Sequence, residues 1–116
     1  MTEGGHLRQV LHPVSDVDTA VAFYQAALGF PAKFTDANRY AALRTGEVTL
    51  ALTGPDEDIT GGIAAASVKV PDLATAISAF TRAGGSLVRG PEEGPHETRA
   101  VVRDPWNNTI VLYAPR

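Results

Sequence analysis

Two stretches of the chain resemble each other residue for residue: DVDTAVAFY at Asp16–Tyr24 and DLATAISAF at Asp72–Phe80. Aspartate, threonine and alanine recur in register across the 56 positions that separate the two stretches. The match extends past both of them, where Gly29 recurs as Gly85. Repetition at a fixed offset indicates that one structural unit is used twice within these 116 residues.

Both stretches have the apolar spacing of a one-faced helix. Apolar residues recur every three or four positions, which puts them on a single side of a helix. Ser15 or Asp16 can cap the first helix, and Asp72 can cap the second. Gly29 and Gly84 are placed to end the two helices in the left-handed conformation. The sequence therefore predicts two helices with well-marked ends.

Strand-like runs flank each predicted helix and are bounded by turn residues. They lie at 7–14, 33–34, 40–44 and 48–53 in the first half, and at 64–70, 86–88, 98–103 and 109–113 in the second. Each half thus follows the order βαβββ. Neither half can bury its sheet face alone. We expect an α+β fold in which two βαβββ modules form one curved mixed sheet around a ligand cup.

The predicted modules belong to a single domain covering residues 1–116. Module one spans about 7–54, a turn-rich linker about 55–62, and module two about 63–116. The segment 90–95, rich in glycine, proline and glutamate, is expected to be a mobile flap. The apolar run 63–66 fits either an interface or the core.

Composition excludes several classes of function. The formal net charge is −3, and no run of lysine or arginine suggests nucleic acid as a partner. The chain has no cysteine, hence no thiolate metal site or disulfide, and we expect a cytoplasmic protein. No stretch approaches the roughly 18 apolar residues that span a bilayer. Residues 1–6 lack the pattern of a signal peptide, so no membrane association is expected.

The segment Val14–Tyr24, followed by Leu28-Gly29-Phe30, resembles the opening motif of the vicinal oxygen chelate superfamily. Asp104–Asn108 is similar to the closing Asp-Pro-aromatic-Gly-Asn turn of that superfamily, with Asn107 in place of the usual glycine. The resemblance covers nearly the whole chain and implies the glyoxalase/bleomycin-resistance/extradiol dioxygenase fold. It implies no single activity, because members include glyoxalases, epimerases, dioxygenases, thiol transferases and antibiotic-sequestering proteins.

Metal-using members of that superfamily carry His, Gln or Glu at one position on each of four cup strands. By this resemblance the four positions here are Gln9, Ala51, Ala65 and Val111. Alanine and valine cannot ligate a metal, and a lone glutamine cannot hold a transition metal against water. We therefore expect no metal and no other cofactor. The chain is expected to be closest in character to the superfamily's metal-free binding members.

The histidines are candidates of unequal interest. Strand alternation turns His12 beneath the first helix, as a core histidine. Pro13 favours a bulge, and a slip of one residue would instead turn His12 into the cup. There it would be a catalytic candidate together with Tyr40. His6 and His96 are expected to be exposed.

Aromatic and cationic residues are the candidates for ligand binding. Tyr113 and Trp106 are available for stacking on a flat ligand, although Trp106 equally fits a turn aromatic or a dimer contact. Tyr40 fits the core or the cup. A cationic edge for a carboxylate, phenolate or enolate is expected, with Lys69 and Arg99 as the preferred pair, although each charge also fits a solvated strand end. The cationic candidates are Arg44, Lys69, Arg99 and Arg103, and the full set of ligand-binding candidates is Gln9, Tyr40, Arg44, Lys69, Arg99, Trp106 and Tyr113.

Two functions compete. The first is metal-independent binding of a small aromatic or polyketide-like molecule, as in drug or metabolite sequestration of the antibiotic-resistance type. The alternative is a metal-independent isomerase, cyclase or lyase of secondary metabolism. In it Lys69 or Arg99 would hold an enolate, and His12 or Tyr40 would move the proton. A metal-dependent lyase or dioxygenase would need ligands outside the family's positions. By resemblance we also expect a homodimer.

Overall fold

The computed structural model describes residues 4–116, so residues 1–3 of the N-terminal segment considered above lie outside it. The elements are β1 (His6–Pro13), α1 (Val17–Leu28), β2 (Ala32–Asp36), β3 (Tyr40–Arg44), β4 (Thr49–Thr53), β5 (Ala65–Lys69), α2 (Leu73–Arg82), β6 (Ser86–Glu93), β7 (Glu97–Arg103) and β8 (Thr109–Pro115). The predicted α+β class and the repeated βαβββ order are confirmed. In the described part of the chain, no helix has the length and hydropathy needed to cross a bilayer.

The chain divides into two compact units. Residues 9–64 form one of them, which we call module one. Residues 65–116, together with the chain up to Arg8, form the other, which we call module two.

Both helices begin at the predicted aspartates. Oδ1 of Asp16 accepts a hydrogen bond from the backbone N–H of Thr19 at 3.0 Å. Oδ2 of Asp72 accepts one from the N–H of Thr75 at 2.9 Å. These bonds satisfy N–H groups that have no acceptor inside the helix. The choice left open between Ser15 and Asp16 is thus decided for Asp16.

The two helices end differently. α1 ends at Gly29, whose φ of 70° lies in the left-handed region, as predicted. α2 ends at Ala83 in the right-handed conformation, and Gly84 follows it with a φ of 116°. The prediction that Gly84 caps α2 in left-handed geometry is therefore wrong. The N–H of Ala83 still donates to the carbonyl of Ala79 at 3.1 Å, so the helical pattern lasts one residue further.

In module one the strands lie in the order β2-β3-β4-β1. β3 is antiparallel to both neighbours, and β1 runs parallel to β4. Alternate residues of each strand face α1, because side chains alternate across a sheet. They form a core of Val17, Ala41, Leu43, Leu50 and Leu52.

In module two the strands lie in the order β5-β8-β7-β6, with the same directions. The core against α2 consists of Val70, Leu73, Ala100, Val102, Leu112 and Ala114. Val10 faces Leu50 in module one as Ala66 faces Ile110 in module two. The paired strands thus keep the offsets of 56 and 60 residues seen in the sequence. The internal duplication is confirmed at the level of strand register.

The segment 90–95, expected to be a mobile flap, is mostly strand. β6 runs as far as Glu93, and Glu92 faces Arg99 across the pair with β7. The register of this pair shifts on both sides of Arg89. Glycine and proline are typical of bulges in a strand with one open edge. The turn-like composition therefore marks irregularities within β6, and the flap prediction is wrong for 90–93.

Candidate functional site

Each sheet has one face that carries no helix of its own module, which we call the helix-free face. In module one it is formed by the odd-numbered residues of β1 and β4 and the even-numbered residues of β2 and β3. In module two it is formed by the odd-numbered residues of β5, β7 and β8. These are the residues that the sequence assigned to the cup.

The four positions that the superfamily resemblance assigns to metal ligands all lie on these two faces. Ala51, Ala65 and Val111 are 0%, 4% and 4% exposed, and their side chains are hydrocarbon. The fourth, Gln9, donates from Nε2 to the Tyr40 hydroxyl at 3.2 Å. A divalent ion needs several oxygen, nitrogen or sulfur donors, so these residues do not fit one. Within the described residues no group of three or more His, Asp or Glu side chains is placed to hold a metal.

Gln9 and Tyr40 form a bridge across the helix-free face of module one. Gln9 lies on β1 and Tyr40 on β3, with β4 between them. Their rows of facing residues are separated by one row, which contains Ala42 and Ala51. Because alanine side chains are short, the amide and the phenol meet above this row. The result is a polar bridge over an apolar floor, and it brings together two of the predicted ligand-binding residues.

An aromatic pair lies beside this bridge. The ring centroids of Phe34 and Tyr40 are 6.2 Å apart, within the usual range for aromatic contacts. Phe34 is 57% exposed, so one ring surface remains available. Phe34 was not among the predicted site residues. A register shift between Ala32 and Phe34 sets its face, and no local pattern in the sequence shows that shift.

Two threonines of β4 differ in how their hydroxyls are satisfied. Nζ of Lys33 donates to Oγ1 of Thr49 at 2.7 Å. Oγ1 of Thr53 is buried and has no hydrogen-bond partner among the described residues. Thr53 faces Tyr40 in register and is 6% exposed. An unpaired buried hydroxyl lowers the free energy of unfolding, because it has lost water without gaining a partner.

His12 does not lie on the helix-free face. Its Nδ1 is 3.2 Å from the hydroxyl of Tyr24 on α1, and Pro13 stays in register opposite Thr53. The slip that would have turned His12 into the cup does not occur. The interpretation of His12 as a histidine beneath the helix is confirmed. Its candidacy as a proton carrier beside Tyr40 is wrong for the same reason.

One row of facing residues crosses the helix-free face of module two from β5 to β6. It contains Lys69, Tyr113, Arg99 and Glu92. Directly facing residues have Cβ atoms roughly 4.5–5.5 Å apart, so neighbouring side chains in the row can touch the same small group. The structure thus aligns three of the predicted ligand-binding residues.

Arg99 is engaged by carboxylates within this region. Its Nε lies 3.7 Å from Oε1 of Glu92, and its Nη1 lies 3.6 Å from Oε1 of Glu97. Nε of Arg89 is 3.2 Å from the other oxygen of Glu92. Lys69 has no ion-pair partner among the described residues. The preferred pair of Lys69 and Arg99 is therefore unequal, because the charge of Arg99 is already balanced.

The hydroxyl of Tyr113 has a perturbed pKa. Burial raises the pKa above its ordinary value, and the charge of Glu97 adds to that effect. The Arg8 guanidinium, which hydrogen-bonds to the phenol, acts in the opposite direction. The net direction is upward, so the phenol keeps its proton at neutral pH and can donate it in a hydrogen bond.

Three predicted residues lie away from this row. Arg44 is exposed at the end of β3. Arg103 is half-buried at the end of β7 and faces Thr109. Trp106 is 80% exposed in the turn between β7 and β8. Tyr113 lies four residues beyond the start of β8, about 13 Å along the strand. Trp106 and Tyr113 are therefore at opposite ends of β8, and joint stacking on one small ligand is not supported.

The turn that carries Trp106 is organised by Asp104. Oδ1 of Asp104 accepts hydrogen bonds from the backbone N–H of Asn108 at 2.8 Å and of Trp106 at 2.9 Å. Asn107 has a φ of 74°, a conformation that asparagine adopts more readily than most residues, which explains its place where the superfamily has glycine. The Asn108 hydrogen bonds above all lower the pKa of Asp104. The motif therefore has a structural role.

A family model described as the Glyoxalase/Bleomycin resistance protein/Dioxygenase superfamily matches residues 6–112. The chain is also 36% identical over 109 residues to an uncharacterized protein of Mycolicibacterium smegmatis. That match covers 94% of this chain and 93% of the other protein. Both comparisons extend over nearly the whole sequence, including both modules.

Solved structures share the fold at low identity. Methylmalonyl-CoA epimerase from Mycobacterium tuberculosis gives a TM-score of 0.71 at 22% identity, over 99% of this chain and 89% of that one. A superfamily member from Vibrio splendidus gives 0.71 at 16%, over 96% and 99%. A Legionella pneumophila chain described as NAD-dependent benzaldehyde dehydrogenase gives 0.78 at 16%, over 93% and 98%. Likeness at these identities shows the fold alone.

Proposed function

The chain belongs to the Glyoxalase/Bleomycin resistance protein/Dioxygenase superfamily, and we propose that it binds a small organic molecule without a metal ion. The observation that carries the proposal is the chemistry at the four positions where metal-using members hold their ion. Three of them are buried hydrocarbon side chains, and the fourth, Gln9, is hydrogen-bonded to Tyr40. A ligand of this protein is therefore held by side chains alone.

The helix-free face of module one supports an aromatic or polyketide-like ligand. Phe34 offers an exposed ring beside Tyr40, and flat ligands stack on such rings. The neighbouring floor of Ala42 and Ala51 presents no polar side chain. Gln9 and Tyr40 supply amide and hydroxyl groups that can bind ligand oxygen atoms. Sequestration of a drug or metabolite, of the antibiotic-resistance type, is the function that this arrangement favours.

A thermal-shift screen of metal-stripped protein tests the proposal. The panel contains aromatic antibiotics, polyketides and acyl-CoA esters including methylmalonyl-CoA, each with EDTA and with added Zn²⁺ or Mn²⁺. A ligand that binds the native state raises the melting temperature by mass action, and we expect hits that EDTA leaves unchanged. Hits that stabilise the protein only with a divalent ion would contradict metal independence.

Two exposed phenylalanines of module one provide a matched control. Phe34 is 57% exposed beside Tyr40, and Phe23 is 60% exposed on α1. For any hit, Phe34→Ala should weaken binding about tenfold in calorimetry, since an aromatic contact is worth about 0.5–1.5 kcal/mol beyond its buried area. Phe23→Ala should leave the affinity unchanged. Equal effects of the two substitutions would argue against this face.

A metal-independent enzyme is the second candidate. It is favoured by the Tyr40 phenol, a proton carrier hydrogen-bonded to Gln9 on the helix-free face. Methylmalonyl-CoA epimerases share this fold, so exchange of an acidic carbon-bound proton is a suitable assay. Hits are incubated in deuterated water and analysed by mass spectrometry. Exchange that Tyr40→Phe abolishes and Tyr24→Phe preserves would establish catalysis. Recovery of unlabelled ligand would establish binding only.

A homodimer and a cytoplasmic location complete the proposal. The first rests on the family resemblance and the second on the absence of cysteine. Light scattering coupled to gel filtration tests the first, and cell fractionation tests the second.

A further inference from the structure

We infer that module two carries a binding site for a carboxylate group, formed by the Lys69 ammonium, the Tyr113 hydroxyl and the Arg8 guanidinium. The inference deepens the proposed function and rests on it, because it names the ligand as an organic acid.

Lys69 is placed to meet a ligand and not a protein carboxylate. It lies on β5 directly opposite Tyr113 of β8. Its neighbours Val68 and Val70 pack into the core against α2, so its own side chain projects from the helix-free face. Lys69 is half-buried and has no ion-pair partner among the described residues. A partly desolvated cation of this kind favours an anionic partner.

Tyr113 supplies an O–H donor next to this cation. A guanidinium only donates hydrogen bonds, so Arg8 donates to the phenol oxygen. The hydroxyl hydrogen of Tyr113 therefore remains able to reach another acceptor. The ammonium and the phenol lie on adjacent strands, at the spacing of directly facing residues. One carboxylate can accept from the phenol through one oxygen and from Lys69 through the other.

The carboxylates already present do not fill this position. Glu92 and Glu97 both lie within salt-bridge distance of Arg99, and Glu92 also pairs with Arg89. Cations of this region outnumber these two carboxylates by two, being Arg8, Lys69, Arg89 and Arg99. The excess occurs in a chain whose formal net charge is −3. This local positive charge is thus a feature of this face and not of the composition.

The adjoining row suits the carbon skeleton of an organic acid. Val111 and Val101 face each other one row from Tyr113 and Arg99, and they are 4% and 2% exposed. Ser67 completes the row on β5. An apolar surface beside a cationic donor pair favours a hydrophobic acid over inorganic phosphate.

Nitrogen-15 NMR titration with benzoate at constant ionic strength tests the inference. We expect saturable shifts of the backbone amides of Arg8, Lys69 and Tyr113. The neutral isostere benzamide should cause no saturable shift at these positions, and inorganic phosphate should bind at least tenfold more weakly than benzoate. Non-saturating benzoate shifts, equal benzamide shifts, or tighter binding of phosphate would each overturn the inference.

Charge-matched variants localise the site. Lys69→Met and Arg82→Met each remove one positive charge, but Arg82 lies in the last turn of α2. Lys69→Met should weaken benzoate binding at least tenfold, Tyr113→Phe should weaken it severalfold, and Arg82→Met should leave it unchanged. Equal losses in the lysine and Arg82 variants would mean nonspecific attraction and would overturn the inference.

These titrations separate this inference from the proposed function. A neutral hit from the metal-free screen whose affinity is unchanged in Lys69→Met would preserve the proposed function and overturn the carboxylate site. A hit that requires a divalent ion, together with metal-free binding of benzoate, would do the reverse.

Discussion

The two modules share a backbone plan but present different chemistry on their helix-free faces. Thr53 and Tyr113 occupy equivalent positions on the last strands, 60 residues apart. Pro13 and Lys69 are equivalent on the first strands, 56 residues apart. Their facing partner is Tyr40 in module one, whereas Arg99 takes that place in module two. The same row is therefore uncharged at three positions in one module and includes two cations in the other.

The sides that face the helices have diverged less. Leu50 and Leu52 of module one correspond to Ile110 and Leu112 of module two, and all four are apolar. Burial against a helix requires apolar side chains of similar volume. The helix-free face has no such requirement, so duplication of the backbone left it free to take up new chemistry. Function in this chain is thus expected to differ between its two halves.

The largest expected effect comes from the equivalent core leucines. Leu52 and Leu112 are 0% and 5% exposed, so Leu52→Ala and Leu112→Ala should each lower the free energy of unfolding by about 2–5 kcal/mol. Urea denaturation measures both, with Leu28→Ala, at a 60% exposed position, as the control that should change little. A large loss in one module with almost none in the other would show that the repeat is structural but not energetic.

The equivalent glycines should be needed for different reasons. A Cβ at Gly85 would lie 2.1 Å from Cε1 of Phe80, whereas at Gly29 it would meet nothing within 4 Å. Gly85→Ala should therefore destabilise by roughly 1–3 kcal/mol through overpacking. Gly29→Ala should cost roughly 1 kcal/mol, because its φ of 70° is left-handed.

Asparagine distinguishes the two mechanisms, since it tolerates the left-handed conformation but is larger than alanine. Gly29→Asn should be more stable than Gly29→Ala in thermal unfolding. Gly85→Asn should be less stable than Gly85→Ala. The opposite order at either position would contradict the explanation given for it.

The third comparison uses the hydroxyls at the equivalent positions 53 and 113. Thr53→Val removes a buried hydroxyl that has no described partner, so unfolding free energy should rise by up to about 1 kcal/mol. Tyr113→Phe removes a hydroxyl that is bonded to Arg8, so stability should fall slightly. Chemical denaturation checks the two signs. A loss of stability in Thr53→Val would mean that the hydroxyl has a partner such as water.

The smallest effect concerns acid sensitivity at the cap of α2. Hydrogen bonds from Thr75, its side chain first and then its backbone, lower the pKa of Asp72. A lowered folded-state pKa contributes stability that is present above the ordinary carboxyl range and is lost as the pH falls through the folded-state pKa. Asp72→Asn should flatten this acid dependence while keeping an acceptor for the cap, and Asp72→Ala should weaken the helix at every pH. Denaturation at a series of acidic pH values measures both.

Much of the scaffold was predictable because its signals are local. Helix periodicity and the aspartate caps gave α1 and α2 their starts, and β3 was predicted with its observed bounds of Tyr40–Arg44. The segment 90–95 was mispredicted because glycine and proline indicate loops and strand bulges alike. Only the pairing with β7 distinguishes the two.

The candidate site was predictable in its members but not in their partners. Lys69, Arg99 and Tyr113 were assigned to one face by alternation, and they share one row. Alternation does not reveal which charges neutralise each other. The ion pairs of Arg99 depend on strand register and on distances between side chains of different strands. The role of Arg8 beside Tyr113 has no local signal at all.

By itself, the sequence determined the duplicated βαβββ plan, the capped helices and the hydrocarbon side chains at three of the four ligand positions. These properties depend on residue identity and on short-range periodicity, which a single chain displays directly. The tertiary structure alone decided that Gln9 meets Tyr40, that His12 meets Tyr24, and that Lys69 remains unpaired among the described residues. Such contacts join residues distant in the chain, and their distances follow from register and bulges that local patterns do not encode.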